Sequence, residues 1–238
     1  TGDGTIEYTA QRHVNLSRLW ADDDITVTAT TGTINDNLTE GDEDPNLIGN
    51  RATLTAATGI GQAGQADIDT HIAELQATNT TGNDIFCEEI DALTVVGTGV
   101  QTQAGNGSIV LSNLSDTFTI DAPVSAHGSG NILLAALGAA IPDDPTRGPG
   151  GEPDLVLNDT VTSETGHISL FAFDDVIQNI GGDVRTGGGT VYVGAGNGNI
   201  EMAGGAGAES EGGNVRYDAA GDILVGAIDT RDITPVRA

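Results

Sequence analysis

The sequence has no lysine, and its 238 residues include only one cysteine, one tryptophan and one methionine. A single cysteine excludes an internal disulfide and any metal site built from several cysteines. Aromatic residues make up 3% of the chain, so an interior must be built from Ile, Val, Leu and Ala. No apolar run approaches the roughly 20 residues that a membrane-spanning helix needs. A large folded unit of this composition must therefore rest on aliphatic packing.

The charge is almost entirely of one sign. Eight arginines oppose 35 aspartates and glutamates, which gives a formal net charge of −27. Nucleic acids and anionic membranes would be repelled by such a surface, so both are excluded as partners. The same charge fits a solvated acidic surface, cation binding or a salt-rich environment.

Glycine is abundant, with 35 residues, and it marks a recurring phrase. The phrase is a turn of Gly with Asn, Asp, Ser or Thr, followed by an apolar residue, any residue and a second apolar residue. It is clear at 24–29, 107–111, 130–136, 166–172 and 199–203. This period-two alternation, bounded by Gly and Asn, predicts short strands that each bury one face.

The strands recur at a nearly constant interval. One series of leading residues steps by 22 to 24 positions: Ile85, Ile109, Ile132, Leu155, Ile177, Ile200 and Ile223. A second series steps by 23 to 27 positions: Leu93, Phe118, Ile141, Ile168, Val191 and Val215. A shared period near 23 stacks each strand on its predecessor in a solenoid, and the alternation and glycine content exclude a helical solenoid. The leucine-rich framework is also missing, so we predict an all-β right-handed parallel β-helix with coils of about 23 residues.

The regularity of the repeat divides the chain in two. Residues 1–80 carry the phrase at wandering intervals and predict less regular coils of the same β-helix, whereas 81–238 predict regular coils. Residues 66–77 fit one short helix or two short strands, and we favour the strands. The segments 40–45 and 142–153 contain prolines, which cannot donate to a central sheet ladder. Both are predicted to be surface loops, and 142–153 is a Pro/Gly-rich insertion.

Three phrases of the repeat are similar to those of a known family. The stretches 130–136, 166–170 and 188–203 resemble filamentous-haemagglutinin-like adhesins and related giant β-strand-repeat exoproteins of bacteria. The resemblance runs over most of the chain, although each phrase is degenerate and gains specificity only by repetition. It implies a right-handed parallel β-helix, secretion to the cell surface, and a role in adhesion, biofilm matrix or a surface layer.

Runs of acidic residues are the candidate metal ligands. Calcium takes six to eight oxygen ligands and accepts them from flexible loops. The candidate ligands are Asp22, Asp23, Asp24, Asp42, Glu43, Asp44, Asp143 and Asp144. Calcium binding here is a hypothesis that rests on charge density alone, and nothing else in the pattern requires a cofactor.

An enzyme is the alternative, because polysaccharide lyases and hydrolases also use the parallel β-helix. Such an enzyme needs carboxylates and a basic residue that converge on one face. Arg185 with Asp183, and Arg216 with Asp218, are the candidates, and a groove lined by two or more of them would favour this alternative. A surface arginine beside acidic neighbours is the simpler interpretation of each pair.

The remaining chemically versatile residues have structural interpretations. His127 and His167 fall in turns before strands, in places comparable to those of Ser108 and Asn131, so we interpret them as turn residues rather than ligands. Cys87 occupies the second apolar position of its phrase and is predicted to be a buried small hydrophobe. No catalytic residue is predicted.

These observations favour a structural or adhesive segment of a secreted, cell-surface or matrix protein. Bare ends of a β-helix are open sheet edges, and neither terminus shows an amphipathic capping helix. We therefore expect the ends to meet adjoining coils of a longer chain or other copies, with assembly into fibres as a variant. The other expected partner is surface carbohydrate or the surface of a host or neighbouring cell.

Overall fold

A computed structural model describes residues 4–38, 44–64, 66–138 and 153–232. These residues form strands, turns and bends but no helix, and so include no helix that could cross a membrane. All pairs of named strands are parallel, and they stack into a β-solenoid of about nine turns. The prediction of an all-β parallel β-helix with a repeat near 23 residues is confirmed.

The solenoid contains 26 short strands among the described residues. In chain order they are β1 (Ile6–Ala10), β2 (Val14–Leu16), β3 (Leu19–Trp20), β4 (Asp24–Ala29), β5 (Ile34–Asp36), β6 (Leu47–Ile48), β7 (Arg51–Ala56), β8 (Ile68–His71), β9 (Glu74–Asn79), β10 (Ile85–Glu89), β11 (Leu93–Thr102), β12 (Ile109–Asn113), β13 (Phe118–Ile120), β14 (Val124–Ala126), β15 (Ile132–Ala136), β16 (Leu155–Leu157), β17 (Val161–Ser163), β18 (Ile168–Ala172), β19 (Val176–Gln178), β20 (Val184–Thr186), β21 (Val191–Ala195), β22 (Ile200–Met202), β23 (Gly207–Ser210), β24 (Val215–Ala219), β25 (Ile223–Leu224) and β26 (Ala227–Asp229).

Two parallel sheets form the walls of the rod. The larger sheet has 15 strands: β1, β4, β7, β9, β11, β13, β14, β16, β17, β19, β20, β22, β23, β25 and β26. The smaller sheet has nine strands: β3, β6, β8, β10, β12, β15, β18, β21 and β24. β2 and β5 pair separately near the N-terminal end. Side chains alternate inward and outward along each strand, as a period of two requires.

One column of aliphatic side chains runs along most of the rod. Its members, joined by strand pairs or isolated bridges, are Val14, Ile34, Ile60, Ile85, Ile109, Ile132, Ile168, Val191 and Val215. All but the last are buried. Apart from β2 and β5, the strands in residues 1–80 belong to the same two sheets as the later strands.

The cross-section of the rod changes at β10 and β11. Before this point each coil contributes one strand to the larger sheet, and after it the larger sheet receives two strands per coil. Along β9, Leu75 and Ala77 pair with Val95 and Val100 of β11, so β11 has three extra residues between the paired positions. Gly97 and Gly99 lie there with φ of +67° and +80°, a conformation that favours glycine. This insertion introduces the bend that divides the larger sheet in all later coils.

Two details of the predicted repeat are wrong. The structure pairs Ile132 with Ile168, 36 residues later, and Phe118 with Leu155, 37 residues later. Beyond the insertion, the residues assigned to the first series therefore stack on the second series, and the reverse. The prediction kept a period near 23 across 142–153, but the insertion there makes one coil longer. Within β19 the inward leading residue is Val176, and Ile177 faces outward.

Of the segments without a clear sequence pattern, one forms strands and two lie mostly outside the described residues. Residues 66–77 contain β8 and the start of β9 rather than a helix, which confirms the prediction of two short strands. Ile141, most of the loop 40–45 and nearly all of the insertion 142–153 lie outside the described residues.

A column of glycines shows how closely the coils approach one another. A Cβ on Gly166 would lie 2.1 Å from the carbonyl oxygen of Gly130. The buried Ser163 hydroxyl fixes this turn, because it donates to that oxygen at 2.7 Å and accepts from the Gly166 N–H at 2.9 Å. In later coils the hydroxyls of Thr186 and Ser210 donate in the same way to the carbonyl oxygens of Gly166 and Gly189. Glycine in this column is therefore required by the spacing between coils.

We expect Gly166→Ala to destabilise the protein by about 1–3 kcal/mol, the usual penalty for an overpacked site. Gly204→Ala is the matched control, since a Cβ there meets no atom within 4 Å. Thermal unfolding of both variants checks the prediction. Equal melting temperatures for the two variants would contradict the inter-coil contact.

Candidate functional site

A ladder of polar side chains runs along the turn that precedes the smaller sheet. Each side chain accepts a hydrogen bond from the backbone N–H of the next coil: Asp84 from Ser108, Ser108 from Asn131, Asn131 from His167, and His167 from Thr190, at 2.6–3.2 Å. The imidazole of His167 is one rung of this ladder. Its interpretation as a turn residue is confirmed.

A second ladder, mostly acidic, is formed by the residues that directly precede β16, β19, β22 and β25 of the larger sheet. Asp154 accepts from the N–H of Asp175, Asp175 from Asn199, and Asn199 from Asp222. Asp154, Asp174 and Asp175 bring one oxygen each to within 4.8 Å of one another, and no other such group occurs in the described part of the chain. Burial raises the pKa of Asp154, and the charges of Asp175 and Asp174 add to the effect.

This acidic ladder was missed by the sequence analysis, although the signal was there. Asp154, Asp175, Asn199 and Asp222 each precede the leading residue of a strand. Assigning Ile177 as the leading residue in place of Val176 put Asp175 out of step with the others. Oxygen-rich groups of this kind suit hard cations.

Of the predicted calcium ligands the structure describes Asp22, Asp23, Asp24 and Asp44, and no three of these four bring their oxygens together. Asp22, Asp23 and Asp24 run through the turn into β4, and Asp24 lies beside Arg51 in the register of β4 and β7. Asp44 forms an ion pair with Arg18. The other candidates, Asp42, Glu43, Asp143 and Asp144, lie outside the described residues. Calcium binding stays a prediction.

A groove of about 560 Å³ lies at one corner of the N-terminal coils. We call it the corner groove; it is lined by Trp20, Ala21, Asp22, Ile48, Gly49, Asn50, His71, Ile72, Ala73, Asp91 and Ala92. His71 Nε2 lies 3.2 Å from an Asp91 carboxylate oxygen. The groove therefore combines an aromatic ring with carboxylate, amide and imidazole groups on a rigid wall.

Glu89 is buried next to the lining residues of the corner groove. Its two carboxylate oxygens accept hydrogen bonds from the Thr70 hydroxyl and from the backbone N–H groups of Ile72, Ile90 and Asp91, at 2.7–3.3 Å. Burial raises the pKa of Glu89 to about 8, and the hydrogen bonds from Thr70 and Ile72 oppose part of the shift. Glu89 thus holds the backbone of two lining residues, Ile72 and Asp91. Glu89 was not predicted, because most of the other coils have alanine or asparagine at its position in the smaller sheet.

The four residues considered for an enzyme lie in two places. Arg185 of the larger sheet forms an ion pair with Asp183, with 2.7 Å between Nη2 and Oδ2. Its Nε also lies 3.5 Å from a carboxylate oxygen of Glu209. Arg216 and Asp218 pair on the smaller sheet at 2.6 Å. Arg185 lines a groove of about 550 Å³, together with Glu164, Glu209, Glu211 and several hydroxyl residues. The two arginine–aspartate pairs therefore lie on different sheets and do not converge on one face.

The other histidines and the cysteine have defined surroundings. The His127 ring lies 2.8 Å from the Gly105 carbonyl and 3.6 Å from Glu164, and His13 contacts Thr33 at 2.8 Å. Cys87 is buried between neighbours in the smaller sheet, and burial raises the pKa of its thiol well above the usual range. The predicted buried position of Cys87 is confirmed.

Both ends of the described solenoid have incompletely covered interiors. Ile223 and Ile228 in the last coil are 46% and 42% exposed, whereas Ile200 and Ala208, one coil earlier in the same columns, are 0% exposed. At the other end, Ile6 and Ala10 of β1 are only partly buried. Each end is an edge with apolar side chains oriented toward the axis.

Comparison with known proteins gives no relative for the chain. No protein-family model matches it, and no curated protein or solved structure matches it either. The resemblance to filamentous-haemagglutinin-like adhesins therefore stays a prediction.

We expect stability to fall as the pH rises from 4.5, the ordinary pKa of Glu89, to about 8, its value in the folded chain. The folded state binds a proton in this interval that the unfolded state has lost, so raising the pH favours unfolding. Glu89→Gln should lessen this decline by on the order of a few kcal/mol, because each pKa unit is worth about 1.4 kcal/mol. Denaturant unfolding at pH 5 and pH 8.5 measures the difference. Parallel losses in the two proteins would show that Glu89 does not carry the effect.

Proposed function

We propose that the chain is a non-catalytic, rod-forming segment of an extracellular or cell-surface protein, with a structural and adhesive role. The observation that carries this proposal is the state of the two ends, each of which is an uncovered parallel edge of the described solenoid. A further coil stacked on either end would complete both the hydrogen-bond ladder and the apolar interior. The resemblance of the phrases to surface adhesins supports the extracellular setting.

The chemistry of the C-terminal edge defines what fits it. The last coil offers Ile223 and Ile228 to the interior and a row of backbone groups to a parallel partner. A coil of the same repeat satisfies both requirements. Such a coil comes from a second copy or from an adjoining segment of a longer chain, and end-to-end stacking of copies would build a fibre.

Charge sets the conditions for such stacking. Two copies of a chain with a net charge of −27 repel each other at low ionic strength. Salt shortens the range of this repulsion to about 10 Å at 0.1 M. Assembly should therefore increase with salt, and with calcium if acidic groups such as Asp154 and Asp175 bind it.

We expect rods that lengthen with protein concentration and with salt in negative-stain electron microscopy and sedimentation velocity. Ile223→Lys should abolish this growth, because it puts a charge on the inward-facing side of the terminal edge. Leu224→Lys is the matched control, with the same new charge on the neighbouring, outward-facing residue of β25. Short isolated rods under every condition would rule out assembly of copies and leave the role of a segment within one longer chain.

A carbohydrate-active enzyme is the second candidate, and the groove at Arg185 is the observation that favours it. This groove holds one arginine and three glutamates, the residue types that glycan cleavage by acid–base chemistry uses. Its carboxylates and arginine are all well exposed to solvent, which argues for a surface ion-pair cluster instead. Incubation with neutral and uronate polysaccharides, with Arg185→Ala and Glu164→Gln as controls, tests it. Release of reducing or unsaturated ends that both variants lose would favour the enzyme over the rod.

A further inference from the structure

The corner groove contains a column of outward-facing side chains from three successive coils. Trp20 of β3 pairs with Ile48 of β6, which pairs with His71 of β8. Parallel neighbours lie about 4.8 Å apart, so these side chains form a strip along the rod axis. The parallel ladder sets the backbone spacing of these three residues, and β3 is the edge strand of the smaller sheet.

Trp20 is the most distinctive member of this strip. It is the only tryptophan of the chain and is 72% exposed on a surface with very few aromatic residues. Isolated exposed hydrophobic residues are ordinary, so the ring alone would carry no inference. Here the ring borders a groove that also contains Asp22, Asn50, His71 and Asp91.

The backbone of the groove is ordered by hydrogen bonds between coils. The N–H of Asn50 donates to the carbonyl of Asp23 at 2.9 Å, and the N–H of Ala73 donates to Asn50 at 2.9 Å. The buried carboxylate of Glu89 accepts hydrogen bonds from the backbone N–H groups of Ile72 and Asp91. A groove held in this way loses little conformational entropy when a ligand binds.

These groups together match the chemistry of a sugar. A pyranose ring has an apolar face of C–H groups, which packs on the flat face of an aromatic ring, and hydroxyls at its rim. Carboxylate, amide and imidazole groups supply both acceptors and donors for those hydroxyls. The corner groove places such groups beside the exposed indole, and ligand sites commonly combine an apolar surface with a few polar groups in this way.

The charge around the groove selects among sugars. Asp22 and Asp91 line it, Asp23 and Asp24 follow directly in the turn, and the chain as a whole is strongly acidic. His71 is paired with Asp91, so it leaves no uncompensated positive charge for an anionic ligand. Uronates and sulfated or phosphorylated glycans are therefore disfavoured by repulsion.

We propose that the corner groove is a binding site for a neutral oligosaccharide, one ring of which stacks on Trp20. Its hydroxyls bond to the His71–Asp91 pair and to Asn50. This proposal rests on the adhesive part of the proposed function and names the ligand class that the adhesive surface recognises. Trp20 faces outward from β3, which is the edge strand of the smaller sheet, so glycan binding and end-to-end assembly are tested separately.

The single tryptophan gives a direct test. Oligomers of β-1,4-linked glucose and of N-acetylglucosamine are titrated into the protein while the Trp20 emission is followed, with calorimetry in parallel. We expect a saturable change in emission with at least one neutral oligomer and none with an oligogalacturonate of equal length. The Ile223→Lys variant serves as the background, so that assembly and glycan binding succeed or fail separately.

Variants then locate the site. Trp20→Ala should weaken the affinity measured by calorimetry at least tenfold, whereas Trp20→Phe should retain part of it because a ring remains. Tyr8→Ala removes an exposed ring outside the groove and should bind as the parent does. Unchanged affinity in Trp20→Ala, or no saturable response to any neutral oligomer by a protein with unchanged melting, would overturn the proposal.

Discussion

Hydrogen bonding between consecutive coils is the interaction on which the rest of this structure depends. Every pair of named strands is parallel, so each coil obtains its backbone partners from the coils above and below. Ordering about 23 residues of backbone costs roughly 1–2 kcal/mol each, more than the few aliphatic side chains of one coil return. A coil is therefore stable only within a stack, and the partly exposed end coils of the described solenoid have the most to gain from a further coil.

The same stacking explains the unusual composition. Because the coils are closely spaced, the turn position of Gly130 and Gly166 excludes even a Cβ, and short polar side chains such as those of Asn131 and Ser163 serve the neighbouring backbone. Columns of Ile and Val fill the narrow interior and leave little space for aromatic rings. Scarcity of aromatics and abundance of glycine are thus consequences of one geometric requirement.

Chemistry in such a molecule belongs to its outer surface and its corners. The interior is filled with aliphatic side chains, and the groups near it, such as Glu89, hold backbone in place. The corner groove differs from the rest of the wall because an exposed indole and several polar groups meet on a rigid surface. A repetitive rod can in this way acquire a binding function by changing outward-facing residues, with no change in the residues that hold its fold.

The sequence by itself determined the fold class, since inward positions repeat with period two along a strand and near 23 along the chain. It also predicted the buried position of Cys87 and the turn position of His167. It could not determine which strand lies on which across the insertion at 142–153, because a loop of any length can join two coils. Nor did the sequence predict that Trp20, Asn50, His71 and Asp91 line one groove. These residues lie in four successive coils, and only the lateral register of the sheets, set by where each turn bends, places them in one groove.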